Sequence, residues 1–186
     1  MQKLLVSTDK ARLDLALIHR FLSEDSAWGK GISAAVVEKS IEGSLCFGGY
    51  LAEQQVAFAR VITDFATFAN LVDVFVLPQH RGKGYSKMLM VEIMAAPELQ
   101  GLRRITLATS DAHGLYAKFG FSPLNKPETF MERYQPDIYH RGGTCNKALF
   151  LFLLNLLTDL VPCVVGHPLP ALNQVISTRT EGYHYV

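Results

Sequence analysis

A glycine turn lies between a predicted buried strand and a predicted helix within residues 71–94. An apolar run interrupted by Asp73 leads through Gly82 and Gly84 into a helical pattern that ends before Pro97. The first amides of a helix lack partners inside the helix and carry the positive end of its dipole. Glycines let such amides approach an anion closely. The segment therefore predicts a phosphate-binding turn, although an ordinary strand–helix connection also favours glycine.

Basic side chains increase the positive charge of this turn: Arg81, Lys83 and Lys87 are all within or next to it. The glycine spacing does not match the fingerprint of dinucleotide-binding folds. No Gly-Lys-Ser/Thr sequence closes the turn, as a Walker loop would require. The turn therefore matches neither of these two nucleotide-binding motifs.

Two motifs in order resemble the GNAT family of N-acetyltransferases. Residues 79–84 read QHRGKG after a strand, and residues 115–121 read LYAKFGF. In that family the first motif, Gln/Arg-x-x-Gly-x-Gly/Ala, binds the acyl-CoA pyrophosphate. The second is a helix with a tyrosine shortly before a Gly-Phe pair. The resemblance covers roughly residues 4–139, and it implies an acetyl-CoA-dependent N-acetyltransferase.

The resemblance implies direct attack by a primary amine on acetyl-CoA in a ternary complex, without an acyl-enzyme. Tyr116 matches the tyrosine that protonates or hydrogen-bonds the CoA sulfur. Asp73 matches an acidic residue that acts as a base, directly or through water. The backbone amide of Phe75 or Val76 would meet the thioester oxygen where the neighbouring strand splays away. Asp64, Asp111 and His113 are alternative groups for proton transfer.

The cofactor-binding residues implied by the resemblance extend from the strand through the turn, with one further residue downstream. They are Phe75, Val76, Gln79, His80, Arg81, Gly82, Lys83, Gly84, Tyr85, Ser86 and Thr109. Ser86 replaces a small glycine or alanine, and Thr109 replaces an asparagine that bonds the pantetheine arm. These departures leave an alternative function open: a CoA-binding sensor or interaction module without catalysis.

Three residues are candidates for binding the acceptor amine. Trp28 lies in a loop between two predicted helices, a region that frames the acceptor site in the family. Arg60 and Asp64 are polar residues on or after a predicted strand, where they either recognise the acceptor or form a surface ion pair. Trp28 could equally be an ordinary packing residue.

The predicted fold is α/β: a mixed, mostly antiparallel and twisted sheet of six to seven strands, with helices on both faces and splayed central strands. Helices are expected after a cap at Thr8 or Asp9, over residues 32–42 with Val36 inward, after the glycine turn, and after a cap at Asp111. The predicted strands cover residues 3–7, 45–52, 55–64, 71–77, 103–109, 121–124 and 129–134.

Composition excludes several classes of partner and site. The chain has 186 residues, a net charge of +1 and a pI near 7.8, so bulk charge predicts no nucleic-acid or anionic-membrane binding. Its three cysteines, Cys46, Cys145 and Cys163, are far apart and not at metal-ligand spacing, so no metal is expected. Together with an N-terminus unlike a signal peptide, they predict the cytoplasm.

The sequence changes character near residue 140, which predicts an acetyltransferase domain over residues 1–140 and an extension over residues 141–186. Residues 148–157 form an apolar run, but Asn155, Asp159 and Pro162 interrupt the roughly 20 apolar residues that a membrane span needs. We expect a helix that packs on the domain or on a partner subunit, which leaves a homodimer open. A membrane-tethered enzyme is the less favoured alternative.

Overall fold

The computed structural model describes residues 2–139, and the statements below concern these residues. The strands are β1 (Leu5–Ser7), β2 (Leu45–Leu51), β3 (Gln54–Thr63), β4 (Phe68–Val76) and β5 (Arg104–Leu107). The α-helices are α1 (Leu15–Arg20), α2 (Ala34–Glu42), α3 (Tyr85–Ala95) and α4 (His113–Tyr116).

The five described strands form one sheet in chain order, from β1 to β5. Each neighbouring pair is antiparallel except β4 and β5, which run parallel. Parallel neighbours need a crossover, and α3 supplies it. The predicted mixed, mostly antiparallel sheet is therefore confirmed. The glycine turn belongs to the connection between the two strands of its only described parallel pair.

Apolar residues on the two sides of the sheet form two separate cores. Along β3, Ala57 and Ala59 belong to a cluster with Leu89 and Ile93 of α3. Phe58, between them, points the other way and packs with residues of α1 and α2. Because both faces are covered by helices, the strands are apolar on both sides.

The first helix begins later than the sequence predicts. Asp9 caps only a short 3-10 turn, Lys10–Arg12, by accepting from the amide of Ala11. Asp14 caps α1, because its carboxylate accepts a 2.9 Å hydrogen bond from the amide of Leu17. The predicted cap at Thr8 or Asp9 is thus wrong for the main helix, which continues as a wider π-helical turn over Phe21–Asp25.

The inward face of α2 is narrower than predicted. Val37 and Ile41 are buried, as expected, but Val36 is 42% exposed. Adjacent helical residues are about 100° apart, so only one of two neighbouring valines can face the sheet here. The assignment of Val36 to the core is therefore wrong.

Strands predicted over residues 121–124 and 129–134 do not form, so the described sheet has five strands rather than six to seven. Pro123 and Pro127 lack the amide protons that a strand ladder needs, and Pro127–Thr129 forms a 3-10 turn instead. Phe130 lies against the guanidinium of Arg104, 5.2 Å from the ring centre, and holds this irregular segment beside β5.

The predicted extension over residues 141–186, including its apolar run, lies outside the described residues. Within residues 2–139, no helix combines the length and the apolar character needed to cross a bilayer.

Candidate functional site

The glycine turn connects the end of β4 to the start of α3. The short 3-10 turn Pro78–His80 bends the chain, since the amide of His80 donates to the carbonyl of Leu77 at 2.9 Å. Gly82 and Gly84 then adopt φ values of 73° and 76°, in the left-handed region that glycine occupies without strain. These two positions turn the backbone so that consecutive amides precede the helix.

Five consecutive amides, from Gly82 to Ser86, donate to no acceptor within residues 2–139. Gly84 is the N-cap of α3, so the last two of these amides belong to the helix's first turn. A Cβ added at Gly82 would meet no atom within 4 Å, which shows that the turn is open on that side. Free amides at the positive end of an eleven-residue helix have the geometry and partial charge to hydrogen-bond an anion such as a diphosphate.

Two of the predicted basic side chains brace the turn. Arg81 donates from Nε to the carbonyl of Val76 at 3.0 Å, and Lys83 reaches the carbonyl of Gln79 at 3.3 Å. Both contacts tie the turn to the strand end while leaving positive charge beside the free amides. His80 buries its Nδ1 atom without a hydrogen-bond partner among the described residues.

Strands β4 and β5 separate before β4 ends. Their pairing runs from Phe68 opposite Arg104 to Leu71 opposite Leu107, whereas β4 continues to Val76. Beyond Leu71, the edge of β4 that would face β5 has no strand partner among residues 2–139. Phe75 and Val76, whose amides the family resemblance assigns to the thioester oxygen, lie in this part of β4, which pairs with β3 on one side only.

A bulge on β4 coincides with the separation. Phe58 pairs with Phe75 and Arg60 with Val72, so β4 carries one residue more than β3 between these pairs. Asp73 lies in the bulge with φ of 54°, a left-handed conformation that aspartate tolerates better than most side chains. The bulge sets the direction of the Asp73 carboxylate.

Two other predicted site residues bind this carboxylate. Arg60 donates from Nε to Asp73 Oδ2 at 2.8 Å, and Trp28 donates from its indole nitrogen to Oδ1 at 3.1 Å. Arg60 also donates from Nη1 to the hydroxyl of Ser44 at 3.0 Å. The Arg60 and Asp73 side chains are only 14% and 12% exposed, so this ion pair is largely buried, and Arg60 pairs with Asp73 rather than forming the surface ion pair considered for Arg60 and Asp64.

Ser44 and Ser26 were not among the predicted site residues. Ser44 is buried and orients Arg60. Ser26 is buried in the loop that carries Trp28, where its hydroxyl donates to the carbonyl of Leu22 and accepts from the amide of Gly29. A single serine in a short connection carries no sequence signal that distinguishes a buried, hydrogen-bonded side chain from a solvated one.

Tyr116 ends α4 and is buried against the core that contains α3. Its ring meets Phe121 edge to face, with ring centres 6.0 Å apart. Burial, and secondarily the negative charge of Asp111, raise the pKa of Tyr116 above its ordinary value. The phenol is therefore kept protonated at neutral pH, as a proton donor must be.

Thr109 and Asp64 make hydrogen bonds within their own loops. The hydroxyl of Thr109 accepts from the amide of Ala112 at 3.0 Å, and Ala112, rather than the predicted Asp111, is the N-cap residue of α4. The carboxylate of Asp64 closes the β3–β4 turn, and its pKa is lowered first by the Thr67 hydroxyl and then by backbone amides.

Asp64 does not belong to the group around Asp73. It follows Arg60 by four residues along an extended segment, so the Cα atoms of the two residues are about 13 Å apart. Its part in acceptor binding, like the cofactor contact of Thr109, stays a prediction.

Two cavities are present elsewhere on the described chain. The larger, about 460 Å³, lies outside β5 and is lined by residues that include Ile105, Phe121 and Phe130. The smaller, about 400 Å³, lies between the end of β1 and the end of α3. None of the predicted site residues lines either cavity. Residues 2–139 contain no group of three or more potential ligands that could hold a metal ion.

Comparisons with known proteins agree with this arrangement. Residues 42–123 match the family model described as an acetyltransferase (GNAT) domain. A protein of Gibberella zeae assigned to the acetyltransferases is 35% identical, over 61% of this chain and 76% of that protein. The residues matched by the family model include the glycine turn.

Solved structures show the same fold. A GNAT-family protein from Xanthomonas campestris pv. campestris is 61% identical and superposes with a TM-score of 0.73, covering 75% of this chain and 98% of its own. An acetyltransferase from Clostridium acetobutylicum, solved with acetyl-CoA, is 15% identical with a TM-score of 0.54 over 72% of this chain and 96% of its own. At that identity the likeness concerns the fold alone. With the glycine turn, the separated strands and the buried tyrosine in family order, the chain belongs to the GNAT family of acetyltransferases.

Proposed function

We propose that this chain transfers an acetyl group from acetyl-CoA to a primary amine by direct attack in a ternary complex. The observation that carries the proposal is the succession of two backbone segments that each lack backbone partners on one side among residues 2–139. The edge of β4 beyond Leu71, which has no strand partner on the side of β5, is followed after the Pro78–His80 turn by the free amides from Gly82 to Ser86. A ligand with an extended arm attached to a diphosphate could bind along both surfaces at once. Acetyl-CoA has this form, and the Clostridium acetobutylicum protein was solved with it.

Each surface would bind a different part of the cosubstrate. The amides at the start of α3, with Lys83 and Lys87 beside them, would hold the diphosphate. Amides of Phe75 or Val76 would donate to the pantetheine arm or to the thioester oxygen, which gains negative charge during attack. Both interactions use backbone donors fixed by the fold, so little reorganisation is needed at the moment of reaction.

The transfer forms a bond between the amine nitrogen and the acetyl carbon, and it breaks the bond between that carbon and the CoA sulfur. Tyr116 would give its phenolic proton to the departing sulfur, and its burial keeps that proton in place at neutral pH. Asp73 would hold the amine and accept its proton, directly or through water. The hydrogen bonds from Arg60 and Trp28 fix the carboxylate but leave a lone pair on each oxygen free for these tasks.

A covalent acyl-enzyme is not needed and finds no support among the described residues. Their only cysteine, Cys46, is 1% exposed, and burial raises its pKa to about 11. A buried neutral thiol is a poor nucleophile. Direct attack by the amine is therefore the proposed route. A free thiol also fits the proposed cytoplasmic location.

The test is release of free CoA from acetyl-CoA over a panel of primary amines, with acetyl-CoA binding measured separately by thermal stabilisation. We expect amine-dependent release and stabilisation together. Stabilisation without turnover on any amine would favour the CoA-binding sensor instead. Absence of both would contradict the proposed function in either form.

A further inference from the structure

We propose that the acceptor is a primary amine joined by a short linker to a group with a flat apolar face, and that this face stacks on the indole of Trp28. An aromatic ring and the C–H face of a sugar share this chemistry. The inference rests on the proposed amine acetylation and deepens it by naming the class of acceptor. It makes Trp28 a residue that determines specificity for the acceptor.

The exposure of Trp28 is the first observation. Trp28 is 55% exposed, although tryptophan is the largest apolar residue and usually contributes to a core. No aromatic ring or cation of residues 2–139 stacks on the indole. One face of a large ring is thus available to a ligand within the described part of the chain.

The fixed position of Trp28 is the second observation. Its indole nitrogen is held by the Asp73 carboxylate at 3.1 Å. The loop below it is closed by the buried Ser26 hydroxyl, and a Cβ at Gly29 would lie 3.2 Å from the carbonyl oxygen of Leu22. Gly31 has φ of 81° and donates to the carbonyl of Ser23 at 3.0 Å. An exposed aromatic held in this way is pre-ordered for binding, since little entropy is lost when a ligand stacks on it.

The position of Asp73 is the third observation. Its carboxylate touches the edge of the indole and lies in the bulge where β4 leaves β5. An amine bound by Asp73 would therefore lie near the strand segment proposed to hold the thioester. Whatever the amine is attached to would extend over Trp28. The geometry favours an acceptor with an apolar face a few bonds from its nitrogen over a bare alkylamine.

The experiment compares phenethylamine and glucosamine with ethylamine and spermidine, using the full chain. In the native protein, kcat/KM for phenethylamine or glucosamine should exceed that for ethylamine and spermidine by about five- to tenfold, the factor expected from one stacked face. The better of the first two amines identifies the kind of face. Trp28→Ala should bring the ratio of these kcat/KM values near one. Trp28→Phe keeps a ring but loses the bond to Asp73, and it should retain most of the preference. Tyr134→Ala removes another exposed aromatic, 72% exposed, and should leave the ratio unchanged.

A binding measurement separates this inference from the proposed function. Trp28 is the only tryptophan of the chain, so its fluorescence reports contact at this position without any turnover. Phenethylamine or glucosamine should change the emission saturably in the presence of CoA, and ethylamine should not. If amines are acetylated but Trp28→Ala keeps the ratio, or the emission does not respond, the stacking inference is overturned while the acetyltransferase remains. If no amine is acetylated but the emission responds, the binding site stands and the catalytic proposal fails.

Discussion

Arg60 and Asp73, thirteen residues apart on adjacent strands, form a 2.8 Å ion pair at the point where β4 bulges away from β5. The pair is largely buried, and Ser44 and Trp28 satisfy further hydrogen-bonding groups of the two side chains. It therefore joins the structure of the sheet to the proposed acceptor site.

Removing one partner of this pair should destabilise the protein, because the other charge would stay buried without compensation. We expect Arg60→Met to lower the free energy of unfolding by about 3 kcal/mol, measured by urea denaturation. Combining it with Asp73→Asn should recover part of the loss. Glu53→Gln, in an exposed pair with Arg12 at 3.7 Å, should cost less than about 1 kcal/mol. Strictly additive losses for Arg60 and Asp73 would contradict this coupling.

Replacing Gly82 should affect both stability and acetyl-CoA binding. At φ of 73°, alanine is strained by about 1 kcal/mol, even though its Cβ would meet no other atom. Gly101→Ala is a matched control, since Gly101 has φ of 77° and equally open space but lies outside the turn. Both variants should lose similar stability in denaturation. Only Gly82→Ala should weaken acetyl-CoA binding by calorimetry; equal binding by the two would remove the turn from the cofactor site.

Tyr116→Phe should lower kcat by about 100-fold, because the departing sulfur loses its proton donor, while KM for acetyl-CoA changes little. Steady-state CoA release at saturating amine measures this. The control is Tyr50→Phe, which removes a hydroxyl that donates to the carbonyl of Arg12 at 2.9 Å. That variant should lose stability but keep kcat. Unchanged kcat in Tyr116→Phe would take the tyrosine out of the mechanism.

The buried thiol of Cys46 predicts a loss of stability at alkaline pH. Burial raises its pKa from 9.0 to about 11, so the unfolded chain releases this proton before the folded one does. Its contribution is therefore complete below pH 9 and is lost as pH rises towards 11, on the order of 2 kcal/mol in all. Cys46→Ala should show a shallower decline over this interval in urea denaturation. The pKa values of Tyr116 and Tyr50 are also raised by burial, and both tyrosines are present in the native protein and in the variant. An equally steep decline in the variant would contradict the assignment to Cys46.

Features that depend on neighbouring residues were predicted well from the sequence. The glycine turn, the start of α3 and its end before Pro97 follow from backbone preferences and helical spacing within a few residues. The hairpin of β2 and β3 was predicted from a polar break between two apolar runs. The family itself was also confirmed.

Predictions failed where a local pattern competed with packing. The segments around Leu124 and Phe130 have apolar residues typical of strands, but prolines and a 3-10 turn prevent pairing with β5. Val36 has the right residue type for a core and lies on the wrong side of α2. In both cases the burial of a residue depends on what lies opposite it, which a local pattern does not contain.

The sequence by itself determined the glycine turn and the order of the elements around it, because these follow from φ preferences, capping and periodicity over short stretches. Only the tertiary structure decided that Trp28, Arg60 and Asp73 meet while Asp64 does not. Trp28 and Asp73 are 45 residues apart in sequence, and Trp28 lies in a loop between helices rather than on a neighbouring strand. The contact of Arg60 with Asp73 depends on the register of β3 with β4 and on the one extra residue in the bulge. Such contacts are set by the packing of distant segments, so residue types and spacing alone do not specify them.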